Sequence, residues 1–154
     1  MTITTVLNGV ASVVKLVAGY TDSNVSVNDN RVLNAAPERC VIIWRQPGHQ
    51  RKDLTLGTPK TVENQWIVGV DVYYLAKGNP QAVMTDLEAE AIAIMDAFSA
   101  YQNLNGTSGV LQVTVTMPED VTTMRVQNSN YYRQLVSVTV REHEHITVLE
   151  GSGA

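Results

Sequence analysis

Apolar side chains recur at Ile3, Val6, Leu7, Val10, Val13, Val14 and Val17, with spacings that place them on one face of a helix. The pattern predicts a helix over 3–18, with Thr2 as its N-cap and Gly19 as the stop beyond its end. Its many valines are stiff and poor helix formers, so packing must hold it, against its own sheet or a neighbour. Residues 20–37 are rich in Asn, Asp and Ser and end in Ala36-Pro37. They read as a loop, with Val25, Val27, Val32 and Leu33 as anchors or a short strand. Arg39-Cys40-Val41-Ile42-Ile43-Trp44-Arg45 is a compact strand, buried on both faces in its middle, and Gln46-Pro47-Gly48 ends it.

Residues 46–60 read as a long polar connection, or an extended hairpin arm with Leu54-Thr55-Leu56 near its tip. The strongest strand pattern follows over 62–76. Trp66, Val68, Val70, Val72 and Tyr74 share one face; Ile67, Gly69, Asp71, Tyr73 and Leu75 share the other. Gly69 inside it suggests a bulge or a close backbone approach. Asn79-Pro80 opens a second helix over about 80–102, with a stripe at Met84, Leu87, Ala91, Ile94, Phe98 and Tyr101, closed by Asn105-Gly106. Leu111, Val113, Val115 and Met117 alternate with polar residues as a half-buried strand, ended by Pro118. Residues 119–130 read as polar connection, and the last strand runs over about 132–141. The order α-β-β-α-β-β predicts an α+β domain: a four-stranded antiparallel sheet with two helices on one face and a long loop or hairpin arm. The α-β-β halves could be structural cousins despite the lack of a sequence repeat. One domain is expected over 1–148, with a flexible tail over 149–154.

The length of 154 residues suits one domain that needs no disulfide or metal to fold. Charged residues make up only 17%, which leaves neutral surface for subunit contacts. A formal net charge of -4 is unlike a dedicated nucleic-acid binder. Cys40, the single cysteine, is expected to be a buried small hydrophobe in a reducing compartment. Neither a signal peptide nor a membrane span is read from the apolar segments, so no membrane partner is expected.

Candidate chemistry is sparse. His143 and His145 in Arg141-Glu142-His143-Glu144-His145 would face one side of a strand, but two ligands fall short of a usual zinc site. Asp86 and Glu90 stand one helical turn apart and read more simply as acids in the N-terminal half of a helix. The sequence therefore predicts no enzyme, metal or cofactor. Arg45, His49, Arg51, Lys52 and Lys60 cluster around the 46–60 connection, opposed only by Asp53. That loop is either a solvated tip or an arm for an acidic neighbour, another subunit or passing DNA. It has no aromatic residue for base stacking. Tyr73 and Tyr132, read as lying opposite the main apolar rows, are further candidates for a subunit contact.

An N-terminal helix, the strand Cys40-Val41-Ile42-Ile43-Trp44-Arg45, a long loop, then Trp66-Ile67-Val68-Gly69-Val70-Asp71-Val72-Tyr73-Tyr74, a helix, and the closing strand Tyr131–Val140 form a familiar order. It resembles the tail terminator, or tail completion, proteins of long-tailed bacteriophages over almost the whole chain. The resemblance implies a structural virion protein, assembled in the host cytoplasm and placed at the head-proximal end of the tail. It implies a homo-oligomeric ring, a hexamer, that caps the tail tube protein and joins it to head–tail connector proteins, with DNA passing through the lumen. A head-completion or neck connector has the same assembly logic. A small-molecule or metal-binding α+β domain using His143, Glu144 and His145 is the alternative of another class.

Overall fold

The computed structural model describes residues 2–57 and 59–146. Helix α1 spans Ile3–Val14 and α2 spans Pro80–Ala100. The strands are β1 (Val25–Val27), β2 (Arg39–Arg45), β3 (Gln50–Asp53), β4 (Lys60–Leu75), β5 (Val110–Thr116), β6 (Thr122–Val126) and β7 (Ser129–Ile146). The α+β class and the two helices agree with the sequence pattern. The sheet departs from it: seven strands rather than four, and mixed rather than antiparallel, because β1 runs parallel to β2. The tail expected over 149–154 lies outside the described residues.

The three strands beyond those four are short, and pairing makes them rather than their own periodicity; β1 falls where Val25 and Val27 allowed a short strand. β3 (Gln-Arg-Lys-Asp) has no apolar residue at all. It continues along the β4 edge that β2 occupies: β2 pairs from Arg39↔Tyr74 to Arg45↔Val68, and β3 from Gln50↔Gln65 to Asp53↔Val62. β6 likewise continues β5 along β7, from Thr122↔Arg133 to Val126↔Ser129. β2 and β5 are both seven residues long, and each ends two residues before a proline, Pro47 or Pro118. Proline has no N–H for the ladder, which explains a break at the same place in each of these strands. The two halves of the chain thus share one plan: a helix, a flanking strand whose pairing is broken at a proline, and a long central strand.

The central strands β4 and β7 pair from Lys60↔Ile146 to Leu75↔Tyr131. Alternation along them puts Trp66, Val68, Val70 and Val72 with Val136, Val138 and Val140 on one face, and both helices pack there. α1 contributes Val6, Leu7, Val10, Val13 and Val14 to this layer, so its apolar face docks on its own sheet. α2 contributes the stripe Leu87, Ala91, Ile94 and Phe98, while Met84 and Tyr101, expected in that stripe, are exposed. Each fully buried valine or leucine here contributes about 1.5–3 kcal/mol, so this layer carries most of the stability. Thr2 caps α1 by accepting from the Thr5 N–H, and Asn79 caps α2 by accepting from the Gln81 and Ala82 N–H groups. α1 stops at Val14, earlier than its pattern suggested, and the chain tightens through turns to Gly19.

On the opposite face Leu33, from the turn Arg31–Ala35, covers a second small core of Cys40, Ile42, Tyr73 and Tyr131. Here Tyr73 meets Tyr131 edge to face at 6.3 Å. Gly69 does mark a close approach: an added Cβ would stand 2.5 Å from the Trp44 indole across the strand pair. Tyr132 is not opposite the main apolar row. It pairs with Tyr74 on the helix-covered face and packs, partly buried, against the main core.

Candidate functional site

The feature that stands out from the layered body is the β3–β4 hairpin. After Arg45 the Gln46 N–H still donates to the Ile67 carbonyl at 2.9 Å, and the Gln46 side chain accepts from Ser137 at 2.8 Å. Pro47 and Gly48 then bulge outward. Gly48 adopts φ +107°, where a Cβ would also press on Ile67 Cδ1 at 2.9 Å, so glycine is required twice over. The chain rejoins the β4 edge at Gln50 and runs out as β3.

A buried polar knot fixes the base of this arm. The His49 ring stacks on Trp66 with centroids 3.8 Å apart and 9° between planes. His49 Nε2 and Asn64 Oδ1 are 3.2 Å apart. Asn64 Nδ2 donates to Glu142 Oε1 at 3.1 Å and to Glu144 Oε2 at 3.2 Å. Trp66 Nε1 donates to the same Glu142 oxygen at 3.1 Å. The Arg45 guanidinium lies 5.6 Å from the Trp66 ring centroid, within cation–π range. Glu142 and Asn64 are buried, so Trp66 is a platform locked from below that carries Arg45 and His49.

Beyond this base the arm is in solvent. Arg51 and Lys52 are exposed, and among the described residues neither has an ion-pair partner. Lys60 pairs with Asp53 at 2.6 Å across the neck of the hairpin. The turn is tied by the Leu54 N–H on the Thr61 carbonyl at 2.9 Å and by the Thr61 N–H on Thr55 Oγ1 at 2.8 Å. Leu54 is 40% exposed and Leu56 is 95% exposed. The five basic positions read from the sequence therefore divide. Arg45 and His49 belong to the base, Arg51 and Lys52 to the free shaft, and Lys60 to the neck. Tyr73 and Tyr132 belong to neither; both sit in or against the domain's own cores.

The histidine–glutamate run is divided by strand alternation. Glu142 and Glu144 turn to the knot, while His143 and His145 lie on the other face, where they meet Glu63 at 3.2 Å and Thr61 at 3.1 Å. Among the described residues no group of three or more His, Cys, Asp or Glu side chains is placed to hold a metal ion. Glu90 does not pair with Asp86; it binds Arg39 at 3.2 Å. Comparison with protein-family models and with curated proteins gives no match for this chain. No helix among the described residues is long and apolar enough to cross a membrane.

Elsewhere on the open face Asp71 is buried and pairs with Arg133 at 2.8 Å. Burial raises the Asp71 pKa above its ordinary value, and the Arg133 contact only partly opposes this. Burial also pushes the Cys40 thiol up to about 12 and the Tyr73 hydroxyl to about 12. The Cys40 thiol and the Tyr73 hydroxyl are thus held in their neutral forms, which suits packing rather than nucleophilic chemistry.

A second surface feature lies at the other end of the central strands. The first turns of α2 and the Met117–Val121 connection enclose an open groove of about 680 Å³. Nothing in the sequence pattern marked it, because it forms only where the broken edge strand β5–β6 passes the start of α2.

Proposed function

We propose that the chain is a structural, non-enzymatic virion protein that assembles with copies of itself into a ring, as tail terminators of long-tailed bacteriophages do. One observation carries the reading. The hairpin arm is firmly anchored at its base, yet it ends in an almost wholly exposed Leu56 beside Arg51 and Lys52, which have no ion-pair partner among the described residues. A lone domain gains nothing from that surface; a docking arm requires it. The two-layer body supports the reading as a rigid mount. The net charge of -4 per copy accumulates around a ring and keeps passing DNA from sticking to it. The partners that follow are further copies, the tail tube protein and head–tail connector proteins at the head-proximal end of the tail.

Native mass spectrometry and negative-stain imaging of the purified chain, alone and mixed with tail tubes, test the proposal. Six-fold rings that stack on tube ends are expected. Rings that ignore tube ends but bind the head vertex would move the protein to a head-completion or neck position. A stable monomer at high concentration, with no affinity for either structure, would sink the proposal.

A further inference from the structure

We propose that the arm tip of one copy seats in the groove beside α2 of the next copy, and that this contact closes the ring; it rests on the assembly reading above. The groove matches the tip in kind. Its apolar lining includes Met84, Met117 and Val121, with Met84 38% and Met117 36% exposed, and its rim carries Glu88, Glu119 and Asp120. The tip offers Leu54 and Leu56 with Arg51 and Lys52 on the shaft behind them. Flexible methionines suit a pocket that receives leucine side chains from another chain. The acids face the cations, and among the described residues only Glu119 has a cation of its own nearby, Arg133 at 3.8 Å. Arg133 is itself engaged by Asp71 at 2.8 Å, so the rim stays acidic.

Geometry decides between a contact within one copy and a contact between copies. The arm joins β4 at Lys60, whereas Gln134 in the groove lies opposite Val72, roughly 40 Å further along that strand. The tip cannot fold back to its own groove. Two unlike patches at opposite ends of one subunit form a heterologous contact, the kind that generates a ring when its rotation closes.

The test pairs charge reversal with cross-linking in the full chain. Arg51→Glu with Lys52→Glu on the arm, or Glu88→Lys with Asp120→Lys in the groove, should each weaken self-association by about a hundredfold, and mixing the two variants should restore mixed assemblies. All four positions are exposed, and circular dichroism checks that each variant stays folded. Separately, copies carrying Leu56→Cys are mixed with copies carrying Met117→Cys and oxidised. A cross-linked heterodimer is expected, and none with a Thr4→Cys control on α1. The buried Cys40 does not interfere. Rings that form normally in the charge variants, without the Leu56–Met117 cross-link, overturn this contact and leave the ring proposal standing. A cross-link without rings upholds the contact as a link in an open chain and overturns the ring. Monomers with no cross-link overturn both.

Discussion

Replacing Glu142 by Ala removes the acceptor on which the base of the arm is built. Two donors lose their partner oxygen, Trp66 Nε1 and Asn64 Nδ2, each 3.1 Å from it. Asn64 keeps Glu144 as an alternative at 3.2 Å, so the indole N–H is the group left buried and unbonded. A net hydrogen bond contributes about 0.5–1.5 kcal/mol, and an orphaned buried donor costs about 1–3 kcal/mol. The terms overlap, and with the small cavity left by a truncated side chain the expected loss is about 3 kcal/mol. Glu142→Gln retains an acceptor oxygen and should lose only about 1 kcal/mol. Urea unfolding at neutral pH, followed by circular dichroism, gives both values at unchanged slope. The Ala variant should also show red-shifted tryptophan emission, because a loosened Trp66 lets water reach the indole. An Ala variant within about 0.5 kcal/mol of the parent, with unchanged emission, would show that packing alone holds Trp66 and that the knot adds nothing.

Gly69→Ala should cost about 1–3 kcal/mol by forcing Trp44 off its seat, and the cost should shrink to under about 0.5 kcal/mol in a Trp44→Ala background; equal costs in both would place the strain in the backbone instead. Asp71 binds its proton more tightly in the fold than in the unfolded chain, so its contribution to stability is complete below the ordinary value of 3.8 and is lost as pH rises through the raised folded value. The stability of the parent relative to Asp71→Asn, from urea unfolding across that range, should therefore fall with rising pH. A relative stability that rises with pH would mean that the Arg133 contact outweighs burial. Cys40 should resist a thiol-exchange reagent at pH 8 until the protein is unfolded; fast labelling of the native protein contradicts its burial and its neutral thiol.

The helices and the four longer strands were legible because each has its own hydrophobic period. β2 was readable to the residue, Arg39 to Arg45, and α2 to its Asn79 cap. β3 was not, since Gln50–Asp53 has no period and becomes a strand only because β4 offers a free edge there. The arm could be suspected from its length and charge, but the division into base, shaft and neck needed the register. Asn64 and Glu142 carry no sequence signal as a pair; only the alignment of β4 with β7 brings them to the same rung. Tyr132, expected opposite the apolar row, lies with it, as its even spacing from Val136 requires. Tyr73 does lie opposite that row, but Leu33 covers its side of the sheet, a long-range contact that no local pattern marks.

The likeness of the two halves bears on how the subunit can associate. A domain built from two equal halves around its central strand pair would present equivalent surfaces at both ends, and such surfaces favour two-fold, self-complementary pairing. Two differences between the halves bear on this. Between β3 and β4 the chain carries a projecting tip with Leu54 and Leu56, whereas β6 and β7 are joined by Gln127 and Asn128 alone, with Gln127 in the left-handed region at φ 53°. At the proline breaks, the first bulge is filled by the His49–Trp66 stack, while the second is left open as the methionine-lined groove. The half that extends its turn has closed its bulge, and the half that shortened its turn has left its bulge empty. Those differences give one end a projection and the other a recess, and that polarity is what a head-to-tail ring demands of its subunit.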